Sequence, residues 1–244
     1  MKLGQIISQC RSAHPEALPG YYEVGDTAFV TFDSFVIGTE EGNVIDYYAL
    51  AEKGELPDDT VGLIIKAHQQ ITRENIPIRN VVLDLSCNTG GAAPAAIYTL
   101  SWFLGEAQVS IQHSFTGAES TTVYRAEVNL DRQFDDNDTV SNLNLYCLIS
   151  PQSFSCGNLV PWAFKADGRV TLLGRVSGGG SCVVQTMTTA WGTTFQISGS
   201  KRISFVKNGA YYDVDQGVEP DFIINSYDHF FDREALTEFI HGLY

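Results

Sequence analysis

A serine at the junction of a predicted strand and a predicted helix is the first candidate for chemistry in this sequence. The apolar segment 145–149 predicts a strand, and the segment 154–165 predicts a helix after a turn at Pro151. Ser155 therefore falls at a helix N-terminus, where unpaired N–H groups and the helix dipole stabilise negative charge. Such a place suits an acyl-transfer nucleophile, although serine is also a common helix N-cap.

A second strand-to-helix turn could assist this nucleophile. Gly90 and Gly91 follow a short apolar strand predicted at 80–85, and an apolar helix is predicted at 92–104. Glycine lets the N–H groups of a turn point outward. Together with the N–H of Cys156, one of these glycines could form an oxyanion hole. Taken singly, the glycine pair is also an ordinary tight connection.

Candidates for the general base are few. His113, on a strand predicted at 109–115, is the best candidate within the chain, and a structural histidine is the alternative. Asp215 could orient a histidine as the acid of a catalytic triad does, or it could be a charge at the end of a strand. His68 falls on the face of a predicted helix, where a core role is expected.

The cysteines suggest one alternative nucleophile and no metal site. Cys156 would lie one residue into a helix, where formation of a thiolate is favoured. The five cysteines are odd in number and include no CxxC pair, so neither a zinc site nor a disulfide framework is predicted. We expect no metal and no cofactor.

Composition limits the class of protein and its partners. The 244 residues are 44% hydrophobic, which is typical of a globular protein that buries a full core. The net charge of −14 argues against nucleic acid and anionic membranes as partners. No apolar run predicts a membrane span, and the first residues lack a secretory apolar segment. The compartment and the oligomeric state are left open, and an upstream signal would place the protein outside the cytoplasm.

The order of predicted elements indicates an α/β fold. Strands, turns and helices alternate through residues 80–173, which predicts a mixed sheet with crossover helices. A β-rich run at 27–37 precedes them, followed by an acidic, glycine-containing connection at 38–58. Residues 1–20 have no core pattern and are predicted to be an irregular lead-in segment. Residues 21–244 are predicted to form a single domain.

Together these segments resemble the carboxyl-terminal processing (tail-specific) serine peptidases and the related tricorn core proteases. Residues 83–91 (LDLSCNTGG) are similar to that family's strand motif of hydrophobic-Asp-Leu-Arg-x-Asn-x-Gly-Gly. Residues 153–156 (SFSC) are similar to its S-x-S-A turn, in which the second serine attacks. Residues 174–185 resemble its glycine-rich element, and residues 215–221 (DQGVEPD) resemble its closing G-[IV]-x-P-D motif.

This resemblance implies a fold, a site and a substrate class. The fold would be a Clp-protease/crotonase-like spiral of β-β-α units. Ser155 would be the nucleophile, and the N–H of Cys156 with that of Gly90 or Gly91 would hold the oxyanion. The substrate would be an extended peptide or an unfolded C-terminal tail that pairs along an exposed strand edge.

The sequence also departs from the family pattern. Ser86 stands where the strand motif has arginine, and residues 174–185 contain no lysine to form the dyad of the tail-specific branch. Lys165 lies ten residues along the helix from Ser155, which is roughly 15 Å. The tricorn-like branch takes a histidine from an upstream segment, whereas the only histidine before the core is His14. We therefore expect the chain to be the C-terminal part of a longer protein that supplies the base.

Two other functions fit parts of this pattern. A non-catalytic member of the fold, which binds peptides or proteins, would explain the missing lysine. A crotonase-type acyl-CoA enzyme would explain the paired oxyanion turns, but not a serine at the start of the helix.

Overall fold

The protein is described by a computed structural model that covers residues 3–74 and 77–243. Its strands, numbered along the chain, are β1 (Gly20–Val24), β2 (Thr27–Thr31), β3 (Thr39–Glu40), β4 (Asn43–Val44), β5 (Asn80–Asp84), β6 (Ala107–His113), β7 (Glu119–Tyr124), β8 (Asn144–Ile149), β9 (Val170–Gly174), β10 (Cys182–Thr188), β11 (Thr194–Ser204), β12 (Val206–Lys207), β13 (Ala210–Tyr211) and β14 (Phe222–Ile223). Its helices are α1 (Leu3–Arg11), α2 (Tyr47–Lys53), α3 (Thr60–Ile71), α4 (Ala93–Leu104), α5 (Cys156–Asp167), α6 (Tyr227–Phe231) and α7 (Arg233–His241). Within the described ranges, no helix has the length and apolarity needed to cross a membrane.

A six-stranded mixed sheet forms the centre of the molecule, in the order β1-β2-β5-β8-β9-β14. Strand β1 is antiparallel to β2, and the other neighbouring pairs are parallel. Every residue of β2 and of β5 is buried, as expected for parallel strands whose two faces are both covered. The parallel strands end at one edge of the sheet, and the loops that follow them meet there.

Helices cover both faces of this sheet. On one face α3, α4 and α5 pack through apolar residues that include Ile64, Leu100 and Val160. On the other face α1, α6 and α7 pack through a second apolar set that includes Ile7 and Phe230. The α/β fold with a mixed sheet and crossover helices, predicted from the order of elements, is confirmed.

A second sheet of four antiparallel strands, in the order β10-β11-β6-β7, lies beside the first. Its inner part rests on α5, where Leu159 packs in one apolar cluster with Phe205 and Val214. The residues of β7 are all exposed, and so are those of β10 beyond Cys182. This sheet is therefore packed at its base and open to solvent over much of its length.

The structure corrects three sequence-based predictions. The lead-in segment is not irregular, because α1 places Ile7 in the core and Ala17 is buried beside it. The run at 27–37 forms a strand only as far as Thr31, after which the chain turns towards the glycine pair. The connection at 38–58 contains α2, whose N-cap carboxylate, Asp46, accepts hydrogen bonds from two helix N–H groups.

Candidate active site

The candidate nucleophile lies among loops that continue the order of the central sheet. Phe35, after β2, pairs with Gly91 after β5, and Phe154, after β8, pairs with Gly179 after β9. The turn that carries Ser155 is thus flanked by the two glycine-rich turns predicted from sequence. The carboxyl ends of neighbouring parallel strands bring these segments together, as is general for sites on α/β sheets.

Ser155 has a strained backbone and an uncapped helix. Its φ of 57° and ψ of −120° lie in a region that non-glycine residues rarely occupy. It occupies the N-cap position of α5, but its side chain makes no capping hydrogen bond. The ordinary N-cap interpretation of this serine is therefore wrong in its geometry. A sharp strand-to-helix turn of this kind is how a nucleophile is exposed above a sheet.

Neighbouring loops hold the strained turn by its backbone. The N–H of Ser155 donates to the carbonyl of Gly179 at 2.9 Å, and the N–H of Phe154 donates to the carbonyl of Asn88 at 3.0 Å. Ser153 is fully buried, and its hydroxyl accepts from the N–H of Ser150 and donates to the carbonyl of Leu85. These bonds explain why the first serine of the turn is structural and the second projects from it.

The two glycines of the earlier turn have different roles. The N–H of Gly90 donates to Oδ1 of Asn88 at 2.9 Å, so it is already engaged. Within the described part of the chain, neither the N–H of Gly91 nor that of Cys156 has a hydrogen-bond acceptor. These two residues are neighbours, because Sγ of Cys156 lies 3.4 Å from the carbonyl oxygen of Gly91. The unpaired N–H groups beside Ser155 are thus those of Gly91 and Cys156.

Glycine is required at position 90 by close approach. A Cβ atom there would lie 2.6 Å from Cβ of Ser155 and 3.1 Å from its Oγ. The distance of 2.6 Å is shorter than real contacts of a Cβ atom, so a side chain at Gly90 would displace the candidate nucleophile. The turn therefore touches Ser155 directly.

Asn88 holds the loops around Ser155 together, which its place in the sequence did not indicate. Its side chain is fully buried, donates to the carbonyl of Phe32 at 2.9 Å, and accepts from the N–H of Gly90. Its own carbonyl accepts from Phe154. The side chain of Asn88 thus ties the loop after β2 to the loop after β5, and its backbone carbonyl adds the loop after β8. The available signal was an asparagine two residues before a glycine pair.

Asp215 lies next to the second glycine-rich turn, and therefore close to the turn of Ser155. Its carboxylate accepts from both the N–H and the hydroxyl of Ser181 at 3.1 Å, and its backbone carbonyl accepts from the N–H of Gly180 at 3.0 Å. A Cβ at Gly179 would lie 2.5 Å from that same carbonyl oxygen. The structure thus brings Asp215 to the site loops, on the side opposite Gly91.

His113 is not brought to Ser155. It ends β6 and is paired in register with Lys201 of β11. Its Nδ1 accepts from the N–H of Thr116, and its ring contacts Phe115, so its contacts lie in its own turn. Strand β11 separates β6 from β10, which places about 10 Å of sheet between His113 and the strand that leaves the site.

The other histidines and the lysine considered from the sequence, His14, His68 and Lys165, have partners elsewhere. His68 is buried and accepts from Nε1 of Trp102, and His14 pairs with Glu16. Lys165 pairs with Asp221. Across residues 3–74 and 77–243, no histidine, lysine or arginine side chain forms a hydrogen bond with Ser155, and no cluster of three metal-ligating side chains occurs.

Cys156 is poorly suited to act as the nucleophile. It is buried, and that burial raises the pKa of its thiol to about 11, against the opposing effect of hydrogen bonds with Ser155 and Gly91. A thiol with such a pKa is protonated at neutral pH, whereas the attacking species is the thiolate. The cysteine-peptidase alternative is therefore not supported by the environment of this thiol.

An arginine from another element accompanies the aspartate of the strand motif. Asp84 and Arg233 of α7 form an ion pair of 2.6 Å, with both side chains buried. Arg233 also donates to Oγ1 of Thr31, and its guanidinium lies over the ring of Phe29. Ser86, which stands in the arginine position of the motif, has a buried hydroxyl with no hydrogen-bond partner in the described chain. The positive charge beneath β5 therefore comes from residue 233.

Comparison with known proteins agrees with this geometry. The model of peptidase family S41 matches residues 48–224, which is well over half of the chain. No curated protein sequence gives a significant match. Among solved structures, the photosystem II D1 C-terminal processing protease is 17% identical, with a TM-score of 0.55 over 82% of this chain and 42% of its own.

Two other solved structures align over almost the whole chain. A lipoprotein from Streptococcus agalactiae is 17% identical, with a TM-score of 0.58 over 98% of this chain and 73% of its own. Mature CPAF is 13% identical, with a TM-score of 0.61 over 99% of this chain and 58% of its own. The chain thus spans less than half the length of the D1 processing protease and a larger share of the length of the other two structures. Likeness at such identities shows the fold, here the predicted Clp-protease/crotonase-like one, and the sequence match shows the family: the chain belongs to peptidase family S41.

Proposed function

We propose that this chain is the catalytic core of a serine peptidase in which Ser155 is the nucleophile. One observation carries the proposal: a strained, uncapped serine lies beside two unpaired backbone N–H groups, those of Gly91 and Cys156. Backbone strain of this kind is costly and is kept where a function requires it. An ordinary helix cap would need neither the strain nor the adjacent donors.

In the proposed reaction, Oγ of Ser155 attacks the carbonyl carbon of a peptide bond while a general base takes its proton. The carbonyl oxygen becomes negative and accepts hydrogen bonds from Gly91 and Cys156. The C–N bond then breaks, the base returns the proton to the leaving amine, and an acyl-enzyme remains. Water attacks the acyl group by the same route in reverse and releases the second product.

The base in this proposal is a histidine supplied from upstream of the chain, with Asp215 as the residue that orients it. The contacts of Asp215 with Ser181 support this role, because they fix its carboxylate beside the turn that holds Ser155. The carboxylate is exposed and so remains accessible to a further partner. A histidine placed between it and Ser155 would complete the relay of a catalytic triad.

The proposed substrate is an extended peptide or the C-terminal segment of a protein. Family membership supports peptide substrates, and one structural relative is a C-terminal processing protease. The site is formed by strand-end loops whose donors are backbone groups, which suits recognition of a main chain. The acyl-CoA alternative loses its basis, because the family match places the chain among peptidases.

A second candidate function is a non-catalytic member of the family that binds peptides. The observation in its favour is that no basic side chain of the described residues forms a hydrogen bond with Ser155. On this hypothesis the strained turn would be an inherited feature of the family, without its chemistry.

A fluorophosphonate probe distinguishes the two functions. The chain, and a form extended by its natural upstream sequence, are treated with the probe, and the labelled residue is identified by peptide mass spectrometry. We expect labelling of Ser155 in the extended form, loss of labelling in Ser155→Ala, and retention in Cys156→Ala, because the latter keeps its backbone N–H. Labelling of the short chain as well would place the base within it.

Two results would contradict the proposal. If both forms fold and neither is labelled, the peptide-binding hypothesis is favoured. If Cys156→Ala abolishes reaction while Ser155→Ala retains it, the nucleophile is the thiol. Circular dichroism of each variant shows whether a negative result comes from a folded protein.

A further inference from the structure

The peptide group between Gly90 and Gly91 carries one of the two proposed oxyanion donors. Its N–H belongs to Gly91 and its carbonyl to Gly90, and in a planar trans peptide these two groups point in opposite directions. The φ angles of the two glycines are 99° and 134°. Glycine adopts such angles readily and also leaves them readily, because no Cβ atom restricts its backbone. Rotation of this one peptide plane would therefore turn the donor away from the site.

Two hydrogen bonds hold the carbonyl end of this peptide group. The backbone N–H of Phe35 donates to the carbonyl oxygen of Gly90 at 2.8 Å, and the hydroxyl of Ser34 donates to the same oxygen at 3.0 Å. Both donors belong to the loop after β2. The carbonyl therefore faces that loop, and the N–H of Gly91 faces away from it.

The glycine pair lies between the loop of Ser34 and the turn of Ser155. A Cβ atom at Gly91 would lie 2.2 Å from the carbonyl oxygen of Phe35 and 2.9 Å from Oγ of Ser34. A Cβ atom at Gly90 would instead lie 2.6 Å from Cβ of Ser155. A donor that faces away from the loop of Ser34 is thus on the side where the candidate nucleophile lies.

The loop after β2 has other anchors than the hydroxyl of Ser34. Thr60 of α3 is buried, and its hydroxyl donates to the carbonyl of Ser34 at 3.2 Å and accepts from the N–H of Val36 at 2.9 Å. The N–H of Thr60 donates to the carbonyl of Val36 at 3.1 Å, and the ring of Phe35 is buried. Ser34 itself is exposed. Its bond to Gly90 is therefore not needed to hold the loop in place.

We infer that Ser34 is a positioning residue for the oxyanion hole, an inference that rests on the proposed function. Its hydroxyl keeps the peptide group in the orientation that leaves the N–H of Gly91 free for the oxyanion. Asn88 holds the preceding peptide group through the N–H of Gly90, so the turn is fixed on both sides of Gly90. Hydrogen bonds in series polarise one another, so the bond from Ser34 also makes the N–H of Gly91 a stronger donor.

Nuclear magnetic resonance tests the orientation of this peptide group without any substrate. Consecutive glycines occur in the sequence only at 90–91 and 178–180. Protein labelled with nitrogen-15 and carbonyl carbon-13 in glycine alone therefore gives carbonyl–amide correlations for these peptide groups and no others. Ser34→Ala should shift the Gly90 carbonyl resonance to lower frequency, as expected when an accepted hydrogen bond is lost, and leave the correlations from 178–180 in place. An unmoved Gly90 carbonyl resonance would overturn the inference, whatever the activity of the protein.

The kinetics of fluorophosphonate labelling in the extended form test the consequence for Ser155. Ser34→Ala should lower the maximal labelling rate about tenfold, with little change in the half-saturating probe concentration. Loss of a whole oxyanion donor costs about a hundredfold to a thousandfold, and the effect here is smaller because the bond from Phe35 remains. Ser34→Thr keeps the hydroxyl and should restore the rate.

Ser12→Ala is the matched control. Ser12 is exposed, and its hydroxyl donates to the carbonyl of Gln9 at 2.7 Å, outside the site. This variant should react like the unmodified protein, and its urea unfolding midpoint should agree with that of Ser34→Ala. Equal slowing of both variants would overturn the inference, because the cause would then be a general loss of stability.

The remaining outcomes separate this inference from the proposed function. If the unmodified extended protein is labelled and Ser34→Ala is labelled equally fast, the inference is overturned and the proposed function stands. A slow Ser34→Ala that Ser34→Thr does not restore also overturns it, because the hydroxyl is then not the cause. If the unmodified extended protein folds and is not labelled, the proposed function fails and the inference fails with it.

Discussion

The loops that follow the central strands and the hairpin of β10 and β11 differ in which side chains they bury. Around Ser155 the side chains of Ser153 and Asn88 are fully buried and hydrogen-bonded, and in the described chain the N–H groups of Gly91 and Cys156 beside it lack acceptors. In the hairpin of β10 and β11, apolar side chains face solvent, and among the described residues strand β10 has no partner on its outer side. The loops of the first region fix the position of Ser155, whereas the hairpin exposes apolar side chains to solvent. The two regions nevertheless adjoin, because β10 begins two residues after Gly180 of the site turn.

The comparison predicts that substitutions in the first region lower activity or the free energy of unfolding, whereas substitutions in the second region change both little. The largest effect is expected at Ser155 itself. Ser155→Ala should lower probe labelling or peptide hydrolysis at least about a thousandfold, because the nucleophile is lost. Ser155→Gly should be equally inactive yet more stable than Ser155→Ala by about 1 kcal/mol, because glycine accepts a φ of 57° without strain. Urea unfolding of both variants measures this, and equal stabilities would contradict the strain.

The ion pair beneath β5 should have the next largest effect. Arg233→Met leaves the carboxylate of Asp84 buried without its cation, which should cost about 3–5 kcal/mol of unfolding free energy. Adding Asp84→Asn removes the unpaired charge and keeps an acceptor for the N–H of Ser86, so part of the loss should be recovered. Urea unfolding of the single and double variants gives both values. A double variant no more stable than Arg233→Met would show that charge is not the cause.

Substitution of Asn88 tests whether its hydrogen bonds position the site loops or only stabilise the fold. Asn88→Ala leaves the N–H of Gly90 and the carbonyl of Phe32 without partners, at about 1–3 kcal/mol for each buried group. Labelling of Ser155 should fall further than stability explains, because the oxyanion turn loses its tether. The matched control is Asn158→Ala, a fully buried asparagine that donates to the carbonyl of Val214. It should lose similar stability and keep labelling. Equal labelling in both variants would deny Asn88 a positioning role.

His68 predicts a pH dependence of stability outside the site. Burial lowers the pKa of this histidine, against the nearby carboxylates of Asp138 and Glu127. The unfolded chain therefore binds a proton below about pH 6.5 that the native protein does not bind. Stability should fall as the pH falls through that value, by up to about 1.4 kcal/mol per pH unit. Urea unfolding between pH 5 and 8 checks this, and His68→Gln should remove that part of the slope. An unchanged slope would rule out His68 as its source.

The smallest effect is expected at His113 in the second sheet. His113→Ala should change stability by no more than about 0.5 kcal/mol, because its contacts are confined to an exposed turn. Labelling of Ser155 should be unchanged in the extended protein. A loss of labelling in folded His113→Ala would instead identify His113 as the base and would break the separation between the two regions.

The sequence predicted those parts of the site that depend on local order along the chain. Ser155 lies where a strand becomes a helix, and such a junction is visible in a short window of residues. The choice between Gly90 and Gly91 as oxyanion donor was not visible there, because it depends on the hydrogen bond that the N–H of Gly90 donates to Oδ1 of Asn88. Hydrophobic pattern located β2 and β5, since both strands are fully buried, but it did not show that β2 ends at Thr31.

Long-range pairing limited the rest of the prediction. His113 is close in sequence to the helix after Gly91, but β6 pairs with β11, which begins more than 80 residues later. Antiparallel register carried His113 away from the serine, and no local signal encodes that register. Likewise, the cation that pairs with Asp84 is Arg233 of α7, and no motif near β5 predicted it. The domain boundaries and the upstream base stay predictions.

The ion pair of Asp84 and Arg233 also has a consequence for the order of folding. The two residues are 149 positions apart, and Arg233 contacts Thr31 across 202 positions. During synthesis, the central strands therefore emerge long before the cation that neutralises the charge between them. Contacts of such separation slow folding, because a long loop must close before they form. A ribosome-bound chain that ends before residue 233 should thus remain incompletely folded, and α7 should close the sheet in a late step.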